Sequence, residues 1–406
     1  MLRLQRCPKY NPGAGIRTVP PETTVARVIP LLKEAGMTAP EDITGTDDIG
    51  IPVFSIGRPG ASAGKYYNGK GPTVEQAEAS ALMEAMERYS AEQRNGDEVA
   101  YGTLAQALEV GRAIDPADMI LPVNVLDRYL DAEIAWVEGH EMFRGEPIWV
   151  PACAVFYPYA PDTDLQLFRY HTNGLATGNT IEEAILHSLL ELIERDAWSI
   201  AEEHNRACND IRVSTDSAAG ALIAKFRAQG VEIHLKNLTS DIGVPTIGAA
   251  ADDVRTKDPE MLTIGVGTHL NPEIACIRAL TEVAQSRTTH KHGMKINAQL
   301  QRNTREMGYE KIKAVNSLWY RDLPKAEKLE SMKDLSTPYV LDDIEVVLGK
   351  LMDAGFDEVA IVDLTREDVG IPCVRAVVPG LEVSTMDPSR IGGRAHGIWK
   401  GGHRYD

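Results

Sequence analysis

The chain has 406 residues, of which 43% are hydrophobic and 25% are charged, and this is the composition of an ordinary globular protein. Its formal net charge is -17, which disfavours nonspecific binding to nucleic acid or to an anionic membrane surface. No stretch has the apolar length of a membrane span and the first residues lack the apolar core of a signal peptide, so we expect a cytoplasmic protein.

The N-terminal part shows a helix followed by a turn and a strand. Residues 15–25 contain Arg17 and a cluster of Pro and Thr, and the amphipathic helix predicted after them ends at Gly36. The segment DIGIPV at 48–53 then predicts a turn that leads into a short strand. The same turn recurs as DIGVPT at 241–246 and DVGIPC at 368–373. Each of the three follows a glycine that ends an amphipathic helix, which predicts three helix-strand-turn-strand units.

A second pattern occurs three times, at 71–90, 178–197 and 270–287, and each copy is typical of a helix with a Thr or Asn cap. At about 100° per residue, one side of each helix is apolar and the other side carries acids and an arginine. The acids in matching register are Glu84 and Glu87, Glu191 and Glu194, and Glu282, and the arginines beside them are Arg88, Arg195 and Arg278.

These acids have two interpretations. Charged residues on a single helix usually form a solvated face laced with ion pairs. Three helices with acids in the same register favour a shared site instead, because surface charge has no reason to keep register. Five converging carboxylates would repel one another unless cations were present. Mg²⁺ that bridges to phosphate oxygens meets this need, with the arginines neutralising the phosphate charge.

Each acid-bearing helix follows a glycine-containing segment that we interpret as a loop, at 65–71, 173–178 and 265–268. Glycines before a helix can let backbone N–H groups approach an anion, although a tight turn is the more common explanation. Lys70 is the basic residue in these loops that we expect to contact a nucleotide. Strands that alternate with helices in this way predict the α/β class.

Two further regions, 100–165 and 300–340, look like insertions on this scaffold. Such insertions can carry partner or substrate specificity, but their aromatic residues can equally form local core. The five cysteines are scattered and odd in number, which predicts neither a zinc site nor a disulfide framework. We expect most of them to be buried thiols, with Cys276 on the apolar side of the third helix.

The glutamate pairs followed by arginine in the first two helices, and the run Glu282, Gln285, Ser286, Arg287 in the third, resemble the ATP-binding signature of the YcaO family. The resemblance implies one integrated α/β unit over 1–406, with an N-terminal helix-strand part at 1–61 and a core at 62–406. In that fold the three acid-bearing helices converge on ATP. The metal ligands it implies are Glu84, Glu87, Glu191, Glu194 and Glu282. The implied ATP contacts are Arg17, Thr24, Lys70, Ser80, Glu84, Arg88, Ser188, Glu191, Arg195, Arg278, Gln285 and Arg287.

Family resemblance also implies the reaction, which is ATP- and Mg²⁺-dependent activation of a peptide backbone amide. Phosphorylation of the amide oxygen turns a poor leaving group into phosphate. In the family, a Cys, Ser or Thr side chain of the substrate as attacking group gives an azoline, whereas sulfide gives a thioamide. No residue of this chain is assigned as catalytic. The chain lacks the fused peptide-capturing domain and the proline-alternating tail of many azoline-forming members, and it ends in GIWKGGHRYD.

Length and termini resemble those of stand-alone archaeal members that act on a glycine of methyl-coenzyme M reductase with a TfuA-type partner. We therefore predict thioamide formation on a glycine of a protein substrate, the reductase alpha subunit, by a homodimer supplied with sulfide and a TfuA-type partner. Azoline formation is the alternative. A nucleotide-binding regulatory subunit is an alternative of another class, and the intact acids in all three helices argue against it.

Overall fold

The computed structural model describes residues 2–11, 15–160, 165–293 and 298–398, so most of the C-terminal GIWKGGHRYD segment lies outside the described residues. It is an α/β structure, as predicted. The helices are α1 (Pro21–Val28), α2 (Val74–Ala91), α3 (Leu104–Val110), α4 (Val123–Leu126), α5 (Ala152–Val155), α6 (Ile181–Glu203), α7 (Ala218–Ala228), α8 (Pro272–Lys291), α9 (Ala298–Met307), α10 (Tyr309–Val315), α11 (Ser317–Tyr320) and α12 (Val340–Asp353).

The strands are β1 (Glu41–Asp42), β2 (Val53–Gly57), β3 (Tyr66–Lys70), β4 (Ala100–Gly102), β5 (Arg112–Ala113), β6 (Ile134–Glu141), β7 (Glu146–Pro151), β8 (Leu175–Thr177), β9 (Asn209–Arg212), β10 (Val231–Asn237), β11 (Thr246–Asp253), β12 (Ile264–Thr268), β13 (Ala326–Lys328), β14 (Ala360–Asp363) and β15 (Cys373–Val377). They form three sheets. The strand orders are β1-β2-β3, β12-β11-β10-β9-β13 and β5-β7-β6-β14-β15-β8, with β4 paired to β6.

Each sheet contains one copy of the same antiparallel pair. The strand that follows a predicted turn, β2, β11 or β15, pairs with a strand that leads directly into an acid-bearing helix. These partners are β3 before α2, β12 before α8 and β8 before α6. The register is equivalent in all three, because the first residue of one strand faces the last residue of the other in Val53–Lys70, Thr246–Thr268 and Cys373–Thr177. The third predicted turn, at 368–373, leads into β15, which pairs with β8. This turn therefore completes the strand pair next to the middle helix α6.

The segments at 65–71 and 265–268 form β3 and β12, and the segment at 173–178 contains β8 between Gly174 and Gly178, which corrects the prediction of loops there. A Cβ atom on Gly69 would lie 1.9 Å from the backbone nitrogen of Ala81 in α2, and one on Gly267 would lie 2.2 Å from the carbonyl oxygen of Ala275 in α8. Only glycine lets strand and helix backbones come this close. The glycines thus serve strand-helix packing, and their selection for tight contact explains a pattern that resembled an anion-binding loop.

The helix caps and buried sides agree with the sequence prediction. Thr73 and Thr180 accept hydrogen bonds from the third residue of their helices, and Asn271 caps α8 with Pro272 in its first turn. On the opposite side from the acids, Leu82, Leu189 and Leu280 are fully buried. Burial of these three apolar sides fixes the rotation of each helix, and with it the direction in which the acids point.

The two insertions contribute core as well as surface. Residues 100–165 supply β4 to β7 to the largest sheet, and their aromatic residues Trp136, Phe156 and Tyr159 are buried. The region 300–340 supplies α10, α11 and β13, and Trp319 is buried there. Local core formation therefore accounts for these aromatic residues. In the described ranges, no helix has the length and apolarity needed to cross a membrane.

Most of the cysteines are buried, as the sequence predicts. Cys153, Cys276 and Cys373 are buried, Cys7 is half-buried and Cys208 is exposed. Cys276 is fully inaccessible on the apolar side of α8, as predicted. No disulfide joins any of them.

Close packing of β12 on α8 yields a stability prediction. Gly267→Ala should lower the free energy of unfolding by about 3 kcal/mol, because the added methyl group overlaps the α8 backbone. The control is Gly349→Ala in α12, where a Cβ atom would meet no atom within 4 Å, and it should raise that free energy by about 0.5 kcal/mol. Urea unfolding followed by circular dichroism measures both. Equal stability of the two variants would contradict the strand-helix contact.

Candidate active site

The acid-bearing sides of α2, α6 and α8 face one another. Glu191 and Glu194 of α6 lie between the acids of the other two helices, since Glu191 interacts electrostatically with Glu87 of α2 and Glu194 with Glu282 of α8. Glu84 lies one turn before Glu87 and raises its pKa. The five predicted carboxylates therefore share one site.

Basic side chains interleave with these acids on both flanks. On α2, an Nη1 atom of Arg88 lies 2.8 Å from Glu87 Oε1, and Nη2 lies 3.5 Å from Glu84 Oε1. On α8, Lys70 Nζ lies 3.3 Å from Glu282 Oε2, and Lys70 reaches it from the end of β3. The structure thus brings the predicted Lys70 and Arg88 to the acids.

Glu194 links the middle helix to the third. Its Oε2 atom accepts a hydrogen bond of 3.0 Å from the backbone N–H of Thr268, the last residue of β12. Arg195 Nη2 lies 3.7 Å from Glu194 Oε1, and Arg278 Nη2 lies 3.9 Å from Glu194 Oε2. The carboxylate is held by α6, β12 and α8 together, so its position is fixed by the fold.

Burial makes the ionised forms of the deeper acids unfavourable. It raises the pKa of Glu194 to about 7, with Arg195 and Arg278 opposing the shift and Glu282 and Glu191 adding to it. Burial likewise raises the pKa of Glu87 well above its usual range and raises that of Glu191.

The pKa of Glu282 shifts in the opposite direction. Burial disfavours its ionised form too, but Lys70, Arg195 and Arg278 outweigh burial and lower its pKa. Added positive charge would favour the ionised forms of Glu87, Glu191 and Glu194, whose pKa values are raised.

This donor set suits Mg²⁺ and a polyphosphate. Magnesium prefers carboxylate oxygens together with phosphate oxygens and water, and it would supply the charge that the buried acids need. The side chains of Glu84 and Glu282 are 35% and 19% exposed, so the site is open at its α2 and α8 edges. Glu84, Glu87, Glu191, Glu194 and Glu282 would hold the metal, and Arg88, Arg195 and Arg278 would contact phosphate.

The N-terminal element packs on the start of α6. Arg17 Nη1 lies 3.3 Å from Glu183 Oε2, and the backbone N–H and hydroxyl of Thr18 donate to Glu183 Oε1. Thr24 is buried, and its hydroxyl donates to Asn179 Oδ1 at 3.0 Å. The hydroxyl of Thr24 thus joins α1 to the loop before α6, and its contact with ATP stays a prediction. Arg17 keeps 40% of its side chain exposed and is close enough to lower the pKa of His187.

His187 is a site residue that the sequence reasoning missed. It lies four residues before Glu191, the position that Ser80 occupies before Glu84 and Arg278 before Glu282. Burial lowers the pKa of His187 well below its usual value, and Arg278, Arg17 and Lys70 add to the effect, so its imidazole is neutral. Helical register alone would have identified it.

Ser188, a predicted ATP contact, has internal partners in the structure. Ser188 is fully buried; its hydroxyl donates to the carbonyl oxygen of Gly174 and accepts from the backbone N–H of Ala376. Ser188 lies three residues before Glu191, whereas Ser80 lies four residues before Glu84. Ser80 itself is half-buried on α2.

The third helix ends in a structural ion pair. Arg287 is buried, with Nε at 2.9 Å from Asp47 Oδ2 and Nη2 at 3.3 Å from Asp253 Oδ2. Its guanidinium therefore joins α8 to the turn before β2 and to the end of β11, and its contact with ATP stays a prediction. Gln285 donates from Nε2 to the carbonyl oxygen of Asn68 in β3, on the same side as Glu282.

The pattern of three acid-bearing helices agrees with a family model. The model described as YcaO cyclodehydratase, ATP- and Mg²⁺-binding, matches residues 68–382. The chain belongs to the YcaO family. As a YcaO protein it is an ATP-dependent enzyme that acts on peptide amides, with ATP and Mg²⁺ as cofactors.

Two relatives match this YcaO chain over nearly its whole length. An uncharacterized protein of Methanothermobacter thermautotrophicus is 46% identical over 383 residues, which cover 93% of this chain and 98% of the relative. An uncharacterized protein in the tfuA 3′ region of Rhizobium leguminosarum bv. trifolii is 29% identical over 385 residues, which cover 90% of this chain and 89% of the relative.

Solved structures agree with the fold. YcaO from Methanopyrus kandleri, bound with AMPPCP and Mg²⁺, superposes with a TM-score of 0.80 at 28% identity, and the match covers 95% of this chain and 98% of that chain. A heterocyclase in complex with substrate and cofactor superposes with a TM-score of 0.81 at 23% identity. That match covers 94% of this chain and 54% of the heterocyclase, and it shows a shared fold.

The raised pKa of Glu194 predicts a pH-dependent stability. Its pKa is about 7 in the folded state against an ordinary value of 4.5, so its favourable contribution to stability is lost as the pH rises between these values. Glu194→Gln removes this titration, and the variant should become more stable than the wild type at about pH 8 but not at about pH 5. Urea unfolding at both pH values measures the difference. Glu203→Gln, at an exposed acid of the same helix, is the control. Parallel pH profiles of the wild type and Glu194→Gln would contradict the burial of an acid with a raised pKa.

Proposed function

We propose that this YcaO protein replaces the oxygen of a peptide backbone amide with sulfur, using ATP, Mg²⁺ and sulfide. The observation that carries the ATP-dependent part is the convergence of five carboxylates with Arg88, Arg195, Arg278 and Lys70 on three facing helices. Such an arrangement suits a metal-bound triphosphate, because the acids hold the metal and the bases neutralise the transferring phosphoryl group.

The reaction has two steps. The amide oxygen attacks the γ-phosphorus of ATP, the bond to ADP breaks, and the amide nitrogen loses its proton, which leaves an O-phosphorylated imidate. Hydrosulfide then attacks the imidate carbon. A C–S bond forms, the C–O bond breaks with departure of phosphate, and the proton of hydrosulfide passes to the nitrogen. Amide, ATP and hydrosulfide thus give thioamide, ADP and phosphate, with no change of oxidation state and no other reactant.

Burial raises the pKa of four of the chain's thiols, Cys7, Cys208, Cys276 and Cys373, which makes them poor attacking groups. Cys373 lies close enough to Glu87 to be affected by its charge, but burial raises the pKa of its thiol well above the ordinary value. Burial also raises the pKa of Cys276 to about 12. The thiolate is the nucleophilic form, and both residues are held as thiols. External sulfide is therefore the better candidate.

One relative supports the choice of partner. The Methanothermobacter relative and the Methanopyrus YcaO structure match 93% and 95% of this chain. The Rhizobium relative is named for its position in the tfuA 3′ region, which supports a TfuA-type partner. Within the proposal, the substrate is a glycine of a protein, the methyl-coenzyme M reductase alpha subunit, and the enzyme acts as a cytoplasmic homodimer. Glycine fits because it offers no side chain that could attack its own activated amide.

Azoline formation is the second candidate. The family model is described as a cyclodehydratase, and that activity uses the same activation of the amide oxygen. It differs in the attacking group, which is then a Cys, Ser or Thr side chain of the substrate. The two candidates predict different masses for the product and different requirements for sulfide.

Mass spectrometry of the product separates the candidates. The purified protein is incubated with ATP, Mg²⁺, sulfide and a peptide that contains both a glycine and a cysteine. Thioamide formation adds the mass difference between sulfur and oxygen and requires sulfide. Azoline formation removes one water and does not. A dehydrated product from the wild type would overturn the thioamide proposal. An amide labelled with ¹⁸O should pass its label to phosphate in both cases, and unlabelled phosphate would contradict O-phosphorylation itself.

Arg88→Lys tests the role of the basic side chains. A lysine keeps the positive charge but cannot contact two oxygens in one plane, so turnover should fall about 100-fold while the mass of the product stays the same. Arg305→Lys, at an exposed ion pair with Glu260, is the matched control and should keep full turnover. Equal rates for Arg88→Lys and the control would remove Arg88 from the phosphate site.

A further inference from the structure

A small cavity lies behind the acids, between α6 and β15. Its volume is about 40 Å³, more than the roughly 15 Å³ that one water needs. Four polar side chains line it, His171, Asn173, Arg375 and Arg390, and the remaining lining residues that frame it are apolar or glycine. The reaction as described above makes no use of this cavity.

The polar groups of the cavity are buried and incompletely satisfied. Arg375 is 1% exposed and Asn173 is 2% exposed. Within the part of the chain that the structure describes, Nε and Nη1 of Arg375 and both amide atoms of Asn173 have no hydrogen-bond partner. Buried donors without partners are rare in folded proteins, and a group of them around one cavity indicates a ligand or ordered water.

The charge of the lining favours an anion over water alone. Two guanidinium groups contribute to it, whereas none of the described lining residues is an acid. Burial lowers the pKa of both Arg375 and Arg390 to about 10, so both remain charged at neutral pH. Burial together with these two arginines lowers the pKa of His171 well below its usual value, so the imidazole adds no charge.

The two arginines have different roles. Arg390 is fixed, since its guanidinium donates to the carbonyl oxygens of Ile120 and Met119 and stacks over Phe168 at 3.9 Å. Arg375 donates only from Nη2, to the carbonyl oxygen of His171 at 2.9 Å, among the hydrogen bonds of the described residues. The free guanidinium donors of the cavity therefore belong to Arg375, beside the unpartnered amide of Asn173, and Arg390 supplies a fixed positive charge.

Arg375 connects the cavity to the acids. It interacts electrostatically with Glu191 and Glu87, and Leu192, the residue after Glu191, lines the cavity. An anion bound here would be adjacent to the helix that carries the middle pair of acids. The size of the cavity restricts that anion to a few atoms, which excludes a nucleotide phosphate chain.

We propose that this cavity binds a small monovalent anion through Arg375 and Asn173, and that in the reaction this anion is hydrosulfide. The identity of the anion rests on the proposed thioamide function, whereas the presence of an anion site does not. From the cavity, hydrosulfide would reach the activated amide carbon, form the C–S bond and release phosphate, as written above. Arg375 would lower the concentration of sulfide needed for turnover.

Bromide tests the anion site directly, because it is monovalent, close to hydrosulfide in size and visible by anomalous scattering. Crystals of the full chain soaked in sodium bromide should show an anomalous peak within hydrogen-bond distance of Arg375 Nε or Nη1 and of the Asn173 amide nitrogen. The peak should disappear in Asn173→Leu crystals soaked in the same way. Water or no density in the cavity of the wild type would overturn the proposal.

Kinetics with sulfide test the identity of the anion. Asn173→Leu should raise the KM for sulfide about tenfold, the effect of losing a hydrogen bond to a charged group, and change the KM for ATP by less than about twofold. Thr263→Val is the matched control, since Thr263 is also buried with an unpartnered hydroxyl in the described structure but does not line the cavity. An unchanged KM for sulfide in Asn173→Leu would contradict the hydrosulfide assignment.

These experiments separate the two proposals. If the enzyme uses no sulfide, the thioamide function fails, and bromide binding still decides whether the cavity is an anion site. If sulfide is consumed but bromide does not bind between Arg375 and Asn173, the cavity proposal fails and the thioamide function stands. Arg375→Lys supports the kinetic test because it keeps the buried charge and removes one of the two free donors.

Discussion

The constraint on which the structure depends is the convergence of five carboxylates in one site, with Glu87 and Glu194 buried and Glu84 at the open edge. Burial raises the pKa of Glu87, Glu191 and Glu194, and neighbouring acids add to the shift at Glu87 and Glu194. Such a cluster is unfavourable by itself, so the surrounding protein must fix it in place. Arginines from the same helices compensate part of the charge, and the remainder suits a divalent cation and a polyphosphate. The unfavourable element of the fold is thus its binding site.

The rigid part of the structure is the strand pair repeated in each of the three sheets. In the α2 and α8 copies a glycine of the strand, Gly69 or Gly267, packs directly on the helix that follows. In the α6 copy Gly178, which follows β8, packs on the first turn of α6. Each helix therefore has little freedom to shift or rotate. The unit of α6 is completed by β15, which comes last in the chain. The site is therefore assembled only when the C-terminal strand has paired with β8, and Arg375 arrives on that same strand. The position of Arg375 thus depends on a strand pairing between residues far apart in the sequence.

The sequence predicted what depends on local periodicity. Caps, apolar sides and the register of Glu84, Glu191 and Glu282 follow from helical geometry, and all of these features are present. The sequence did not predict what depends on tertiary contact. A glycine chosen for packing on a helix has the same local pattern as one in an anion-binding loop, and the partners of Arg287 lie in distant turns. His187 could have been found from register, whereas Arg375 could not, because only the β15–β8 pairing places it near the acids.

A crystal structure of this chain with AMPPCP and Mg²⁺ tests the central claim most directly, since the claim concerns which side chains hold the nucleotide. We predict magnesium ions coordinated by carboxylates from all three helices, α2, α6 and α8, with Arg88, Arg195 and Arg278 turned from their acid partners toward phosphate oxygens. Ser188 should keep its hydrogen bonds to Gly174 and Ala376, and Arg287 should keep its ion pairs with Asp47 and Asp253. A nucleotide bound elsewhere, or bound at these helices with the arginines still paired to the acids and no metal on the carboxylates, would contradict the account.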